Sequence, residues 1–262
     1  MILKWVGGKS RLLPLIKSNL PSDFENRSYL EPFLGGGSVF FGLKPKQSIL
    51  GDLNSTLISV YSYVRDNPRF LIDLLKDHEI NHFKNPNYYY TVRNLYNKEL
   101  QLSVEKAAMF IYLNKTCFNG LYRVNSKGEF NTPKGSYVKP VILNTDHLLA
   151  CSAAIQGTTL YCDSYKVTEH RLNNCERMFI YADPPYDGTF QGYQKEGFGS
   201  KDQEELYQWL LDFSNLGGKF MLSNSDTPYI RQLYSKFNII KISLTRGMDR
   251  KQVSELLVKN YE

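Results

Sequence analysis

The sequence predicts an α/β protein: a mostly parallel sheet flanked by helices, ending in an antiparallel hairpin and interrupted by a helical insert. Three observations carry this reading. Short apolar runs alternate with helical patterns near both ends of the chain, the stretch from about Pro68 to Asn114 is helical throughout, and the last two strand-like segments are separated by a single turn. A strand–helix–strand rhythm is the pattern of a parallel sheet whose crossovers place helices on its faces.

Taken in order, Ser28–Phe33 (SYLEPF) reads as a strand, GGGSVFFGL turns into a helix, and Gln47–Asp52 (QSILGD) reads as the next strand. NSTLISVYSYVRD then opens a helix behind Asn54, a residue type that satisfies the free N–H groups of a first turn. RFLIDLLKDHEI, NYYYTVRNLYNKEL and SVEKAAMFIYLN are three amphipathic segments with no strand between them. An irregular stretch follows from Lys115 to Pro140, in which RVNSKGEF reads as a hairpin turning at Asn125–Gly128. This block defines an inserted domain over residues 67–142, within a domain formed by residues 1–66 and 143–262. Beyond it, Thr158–Asp163, Met178–Asp183, Lys219–Asn224 and Phe237–Ser243 read as strands, with a helix over Asp202–Ser214. The segment VSELLVKNY, after a turn at Gly247–Arg250, closes a hairpin with the strand before it.

Composition narrows the class. A chain of 262 residues with 42% hydrophobic content has room for one large domain carrying a sizeable insertion. No stretch approaches the roughly 20 apolar residues of a membrane span. Charges at Lys4, Lys9 and Arg11 break up the apolar core that a signal peptide needs, so a cytoplasmic location is expected. Cys117, Cys151, Cys162 and Cys175 are scattered and read as free or buried thiols of a reducing compartment. His78 and His82 are four apart on a helix, yet no third ligand has a supporting spacing, and no metal is expected. The net charge of +6 is a mild indication of a polyanionic partner.

Chemistry concentrates in three places. KWVGGK near the start resembles the end of a phosphate loop, but the position five before Gly8 is Leu3, not glycine, and the pattern fails. In FLGGGSVFF, Gly35 and Gly37 open a dinucleotide-type turn whose third position is Phe40. Asp52, 17 residues after Gly35, ends the next strand, where a carboxylate can accept both hydroxyls of a ribose or else cap the following helix. The strand IYADPPYD then ends in Asp183, two prolines and Tyr186. Prolines fix the chain and lack a backbone donor. A carboxylate, a rigid carbonyl and an aromatic ring therefore stand together at the carboxyl end of a strand, the edge at which open α/β sheets bind ligands. Asp183 and the Pro184 carbonyl can each accept one N–H of an aromatic amine while Tyr186 stacks on its ring. Two acceptors holding both hydrogens favour a more tetrahedral, more nucleophilic nitrogen and stabilise the positive charge developing there.

In this setting KWVGGK, EPFLGGGSVFF, GDLN, LNKTCFNGLYRVNSKGEFNTPKGSY, YADPPY and SNSD resemble the motifs of the DNA adenine methylase (Dam) family, in that family's order, from Lys4 to near Tyr261. The YADPPY motif is shared with other amino-methyltransferases, whereas FNGLYRVNSKGEFNTP is much more specific. The resemblance implies a Rossmann-like S-adenosylmethionine-dependent methyltransferase sheet, with residues 67–142 as a mostly helical DNA-recognition domain. It implies S-adenosylmethionine as methyl donor, duplex DNA as partner, base flipping and a GATC target, and it leaves a companion restriction endonuclease open. Implied catalytic residues are Asp183, Pro184 and Tyr186. Implied cofactor contacts are Trp5, Lys9, Phe33, Gly35, Gly37, Asp52, Asp163 and Asp183. The alternative for two of them is that Trp5 packs in the core and Lys9 is a solvated helix residue. Between Lys115 and Lys139 five basic residues oppose one acid, with Phe118, Tyr122, Phe130 and Tyr137 interleaved. By resemblance Arg123 reads a guanine, Leu121 meets a thymine methyl, Phe118 wedges into the base stack and Asn119 contacts a phosphate. Lys127 is read as a phosphate contact, while Lys4, Pro133 and Tyr137 belong to the same surface. Phe118 stands where relatives often carry Tyr, and Ser136 where Arg is common. The glycines Gly188, Gly192, Gly197 and Gly199 suggest a loop that orders around substrate, the alternative being a passive surface loop.

Overall fold

A computed structural model of the chain describes residues 2–167, 174–187, 198–246 and 251–262. It divides into two compact units. One comprises Met1–Leu15, Gly35–Lys44 and Asp52–Cys162; the other comprises Ile16–Leu34, Pro45–Gly51 and Asp163–Glu262. The strands are β1 (Ser28–Glu31), β2 (Ser48–Gly51), β3 (Thr159–Tyr161), β4 (Met178–Ala182), β5 (Lys219–Ser225), β6 (Asn238–Arg246) and β7 (Lys251–Lys259). They form a seven-stranded sheet in the order β3-β2-β1-β4-β5-β7-β6.

In the second unit β1 pairs in parallel with β2 and β4, and β4 in parallel with β5. The central strand β4 is buried at every position, as its unbroken apolar run MFIYA requires of a parallel strand covered on both faces. The strand read over Ser28–Phe33 stops at Glu31, because Pro32 has no N–H to give to a ladder. The expected terminal hairpin is present, with β6 and β7 in antiparallel register from Asn238 opposite Lys259 to Arg246 opposite Lys251. Its inner strand β7 also pairs antiparallel with β5, which the sequence pattern did not reveal. The turn read at Gly247–Arg250 lies outside the described residues, as do Gly188, Gly192 and Gly197 of the glycine-rich stretch. Gly199 immediately precedes the helix Ser200–Asn215.

The first unit is helical. Numbering helices along the chain, α1 spans Leu13–Ser18, α2 Ser38–Leu43, α3 Ser55–Asp66, α4 Pro68–Lys84, α5 Tyr88–Lys98, α6 Val104–Thr116, α7 Thr145–Ile155, α8 Ser200–Asn215 and α9 Pro228–Leu233. Asn54 caps α3 as expected, its Oδ1 accepting the Leu57 N–H at 3.0 Å. Helix α6 buries Ala107, Ala108, Phe110, Ile111, Tyr112 and Leu113, nearly all round, and so forms the centre of this unit. Helices α7 and α9 were not read from the sequence, although Asn144 and Thr227 cap them with their side chains. The hairpin expected around Asn125–Gly128 shrinks to one antiparallel bridge between Val124 and Phe130. Asn125 takes over the work of a ladder, its side chain accepting the N–H groups of Lys127 and Glu129. His78 and His82 each hydrogen-bond a tyrosine hydroxyl, of Tyr88 and Tyr112 respectively, at 2.9 Å. Burial holds the His78 imidazole down to about 4, so it is neutral at neutral pH. The four cysteines are free thiols, with only Cys162 exposed. No helix among the described residues is long and apolar enough to cross a membrane.

Candidate active site

In the first unit the glycine turn and Asp52 come together. Gly35 and Gly37 have φ of +48° and +65°, conformations that side chains disfavour. A Cβ at Gly35 would stand 2.9 Å from Cδ1 of Trp5, so the bare backbone lets the indole lie directly against the turn. Asp52 Oδ2 accepts the Gly35 N–H and Oδ1 accepts the Asn54 N–H, each at 2.9 Å. The cap of α3 is Asn54, so Asp52 is not a helix cap. Burial raises the Asp52 pKa, opposed by the backbone N–H groups of Asn54, Gly35 and Leu53. A carboxylate offers about four acceptor positions, which leaves capacity beyond these bonds. Tyr61 donates its hydroxyl to the Gly35 carbonyl at 3.0 Å, bracing the turn from α3. Lys9 is 3% exposed and precedes α1, so it is not a solvated helix residue. Its N–H donates to Ser38 Oγ at 2.8 Å and its ammonium to the Gly7 carbonyl at 2.6 Å.

The basic, aromatic stretch of the same unit hangs from buried Asn114. This side chain accepts the Lys4 N–H at 2.7 Å and donates to the carbonyls of Lys4 at 2.8 Å and Gly120 at 3.1 Å. Gly120, at φ +64°, lies so close to Lys4 that a Cβ there would meet the Lys4 Cβ at 2.5 Å. Phe118 is 51% exposed, and Asn119 beside it is also exposed, with φ +54°. The Lys4 ammonium sits 4.0 Å from the centroid of the exposed Tyr137 ring. Arg123 is exposed but held: its Nε donates to Asn131 Oδ1 at 2.7 Å. Leu121 is half-buried, while Lys127 and Pro133 are exposed. Two of the interleaved aromatics belong to packing instead of surface. Phe130 is buried against Tyr96 and Tyr122, and Tyr122 stacks on Trp5 at 5.6 Å with ring planes 20° apart.

In the second unit β4 delivers Asp183 at its carboxyl end, followed by a corner that distant side chains pin. Gln203 on α8 donates to the Pro185 carbonyl at 3.0 Å and accepts from Asn224 at 3.0 Å. Ser225 donates to the Asp187 carbonyl at 3.1 Å, and Thr227 to the Asp187 carboxylate at 2.9 Å. The Tyr186 hydroxyl donates to Glu255 of β7 at 3.0 Å. Pro184 is buried, and Asp183 and Tyr186 are half-buried. Further polar pairs lie within the sheet: Tyr29 donates to Glu31 at 2.5 Å, and Tyr181 shares a hydrogen bond with Ser223 at 2.7 Å. Burial, reinforced by the Asp183 charge, pushes the Tyr181 and Tyr186 hydroxyls far above the usual phenol range, so both stay protonated. Phe33 packs against Tyr165 at 5.6 Å and edge-on to Phe198 at 6.1 Å. Asp163 is exposed and accepts the Ser164 N–H at 2.6 Å.

A model of the family described as D12 class N6 adenine-specific DNA methyltransferase matches residues 5–248. The chain belongs to that family. This D12-class methyltransferase is 36% identical, over 271 residues, to the type II methyltransferase M1.LlaDCHI of Lactococcus lactis subsp. cremoris, covering 98% of this chain and 94% of that protein. It is 33% identical, over 265 residues, to the DNA adenine methylase of Escherichia coli strain K12, covering 97% and 93%. Among solved structures it is similar to the rRNA methyltransferase aviRa from Streptomyces viridochromogenes, with a TM-score of 0.43 and 14% identity over 96% of this chain and 84% of that one. The methyltransferase is thus an S-adenosylmethionine-dependent enzyme acting on adenine in DNA.

The side chains that pin the corner of this methyltransferase were not singled out from the sequence. Asn224 lies inside the quoted SNSD, but Gln203 and Glu255 sit in ordinary helix and strand patterns that carry no motif. Asn114, at the end of α6, and Asn131, beside Arg123, lie inside the quoted LNKTCFNGLYRVNSKGEFNTPKGSY but were not singled out within it. Their partners are 6 to 110 residues away, so spacing gives no single signal.

Proposed function

We propose that this methyltransferase flips the target adenine out of duplex DNA, within GATC, and methylates its exocyclic amine at the corner Asp183–Tyr186. The observation that carries the reading is the pinning of that corner: Gln203 holds the Pro185 carbonyl and Glu255 the Tyr186 hydroxyl. A preorganised acceptor pair does not have to reorient as charge develops on the amine. The Asp183 carboxylate and the Pro184 carbonyl each accept a hydrogen bond from one amine hydrogen, and Tyr186 stacks on the base. Asp183 also stands ready to take the proton that the methylated amine must lose. No covalent bond forms between enzyme and base.

The residues of the glycine turn fit S-adenosylmethionine. The bare Gly35 beside the indole leaves the backbone open to close approach, and Asp52 keeps acceptor capacity for ribose hydroxyls. Trp5, Lys9, Gly35, Gly37 and Asp52 are proposed to hold the cofactor, with Phe33, Asp163 and Asp183 as further contacts. When bound, it supplies a methyl group made electrophilic by its sulfonium.

Residues 67–142 are proposed as the DNA-recognition domain, set into the catalytic domain of residues 1–66 and 143–262. Arg123, oriented by Asn131, suits bidentate pairing with guanine. The exposed Phe118 suits a wedge at the gap left by the flipped base, with Leu121 against a thymine methyl. Lys4, Asn119, Lys127, Pro133 and Tyr137 complete the surface. A restriction endonuclease cutting the same sequence is a fitting companion, M1.LlaDCHI being a type II methyltransferase by name.

The test is to treat unmethylated genomic DNA with the purified protein and S-adenosylmethionine, then map modified bases by sequencing. N6-methyladenine confined to GATC is expected. Methylation at an unrelated sequence would overturn the target, and methylation of structured RNA in preference to duplex DNA would overturn the recognition domain. A duplex carrying 2-aminopurine at the target adenine is expected to brighten on binding; an unchanged signal would remove base flipping.

A further inference from the structure

We infer that Glu255 is a positioning residue for the methyl transfer: through the Tyr186 hydroxyl it fixes the plane of the ring on which the target base stacks. The inference rests on the reading of Tyr186 as the stacking residue. Glu255 is 1% exposed, stands on β7 opposite Ser225 of β5, and accepts the Tyr186 O–H at 3.0 Å. It lies beyond residue 248, where the family match ends.

The backbone end of Tyr186 is already constrained. Pro184 and Pro185 precede it, Gln203 holds the carbonyl between, and Ser225 and Thr227 hold Asp187 after it. That leaves the far end of the ring as the remaining freedom, and a bond from the hydroxyl to a buried carboxylate on another strand removes it. Stacking depends on this, because aromatic pairs prefer an offset parallel arrangement and lose their gain when the plane tilts. Charge acts in the same direction. A phenol that donates to a carboxylate becomes richer in π density, and the base above it gains positive charge as its amine takes the methyl group. A richer face attracts a cationic partner more strongly. The bond is thus worth more in the transition state than in the bound ground state, which places its effect on kcat and not on KM. The antiparallel strand β7 gains a role here: inserted beside β5, it brings the Glu255 carboxylate to the Tyr186 hydroxyl.

Single-turnover methyl transfer to a GATC duplex tests this with Tyr186→Phe, Glu255→Ala, Glu255→Gln, Tyr186→Ala and the double variant Tyr186→Phe/Glu255→Ala. Loss of a hydrogen bond to a charged group predicts a rate about tenfold to a hundredfold lower for Tyr186→Phe and for Glu255→Ala, with DNA KM within about twofold. The double variant should be no slower than either single one, since both remove the same bond. Glu255→Gln keeps an acceptor and should recover most of the rate. Tyr186→Phe leaves no buried cavity, so it decides the matter even if Glu255→Ala fails to fold. Additive losses in the double variant, or wild-type rates in Tyr186→Phe, would overturn the positioning role while a slow Tyr186→Ala keeps the stacking role intact. A wild-type rate in Tyr186→Ala would overturn both.

Discussion

The corner Asp183–Asp187 and the stretch Phe118–Tyr137 are built on opposite principles. Four hydrogen bonds hold the corner, involving Gln203 of α8, Ser225 of β5, Thr227 before α9 and Glu255 of β7, and a fifth, from Asn224, braces Gln203; Gln203, Asn224 and Glu255 are fully buried. The basic stretch is held by Asn114, and its outer side chains Phe118, Asn119, Arg123, Lys127 and Tyr137 are exposed, Arg123 being braced by Asn131 and Tyr137 by the Lys4 ammonium. A reaction centre gains from groups that do not move as charge develops, because reorganisation adds to the barrier. A surface that meets a long polyanion gains from side chains that reach outward and adjust, because most of its affinity comes from phosphates whatever the sequence.

That contrast can be broken from either side. The largest effect belongs to Asp183→Ala, which removes one of the two proposed amine acceptors. Turnover should fall by about a hundredfold to a thousandfold, judged by the loss of comparable transition-state acceptors and donors, while duplex affinity stays near wild type. Gel-shift titration beside single-turnover kinetics measures both, and a near-normal rate would sink the assigned role. Next comes Gln203→Ala, which strands the Pro185 carbonyl and the Asn224 amide. Urea unfolding should show a loss of about 1–3 kcal/mol from one buried and one part-buried hydrogen bond, accompanied by slower methyl transfer. Unchanged stability would mean that water replaces the amide and that the corner is not pinned from α8.

Smaller effects are expected on the basic stretch. Arg123→Ala should cost about 1–3 kcal/mol of discrimination between GATC and singly altered sites, with little change in stability. Competition binding across a panel of altered duplexes reads this directly; an unaltered sequence preference would contradict direct readout. Lys127→Ala should weaken every duplex about equally and reduce the salt slope of binding by about one unit. A loss confined to one sequence would count against a phosphate contact there.

The sequence by itself determined whatever depends on neighbours along the chain. The strands follow from apolar runs, the start of α3 from Asn54, and the corner from Asp183 and two prolines at a strand end, since a cap, a stop or a proline constrains its own dihedrals and those next to it. It also placed the antiparallel pair β6 and β7, which follow one another along the chain. The inner place of β7, beside β5, was decided only in the tertiary structure, because strand order comes from burial shared among segments far apart. The same reason governs Gln203, Glu255 and Asn114. Each is an ordinary polar residue in its own helix or strand, and each acquires its task only when folding buries it against a carbonyl, a hydroxyl or an amide from elsewhere in its unit, where a polar group left without a partner costs more than one in water.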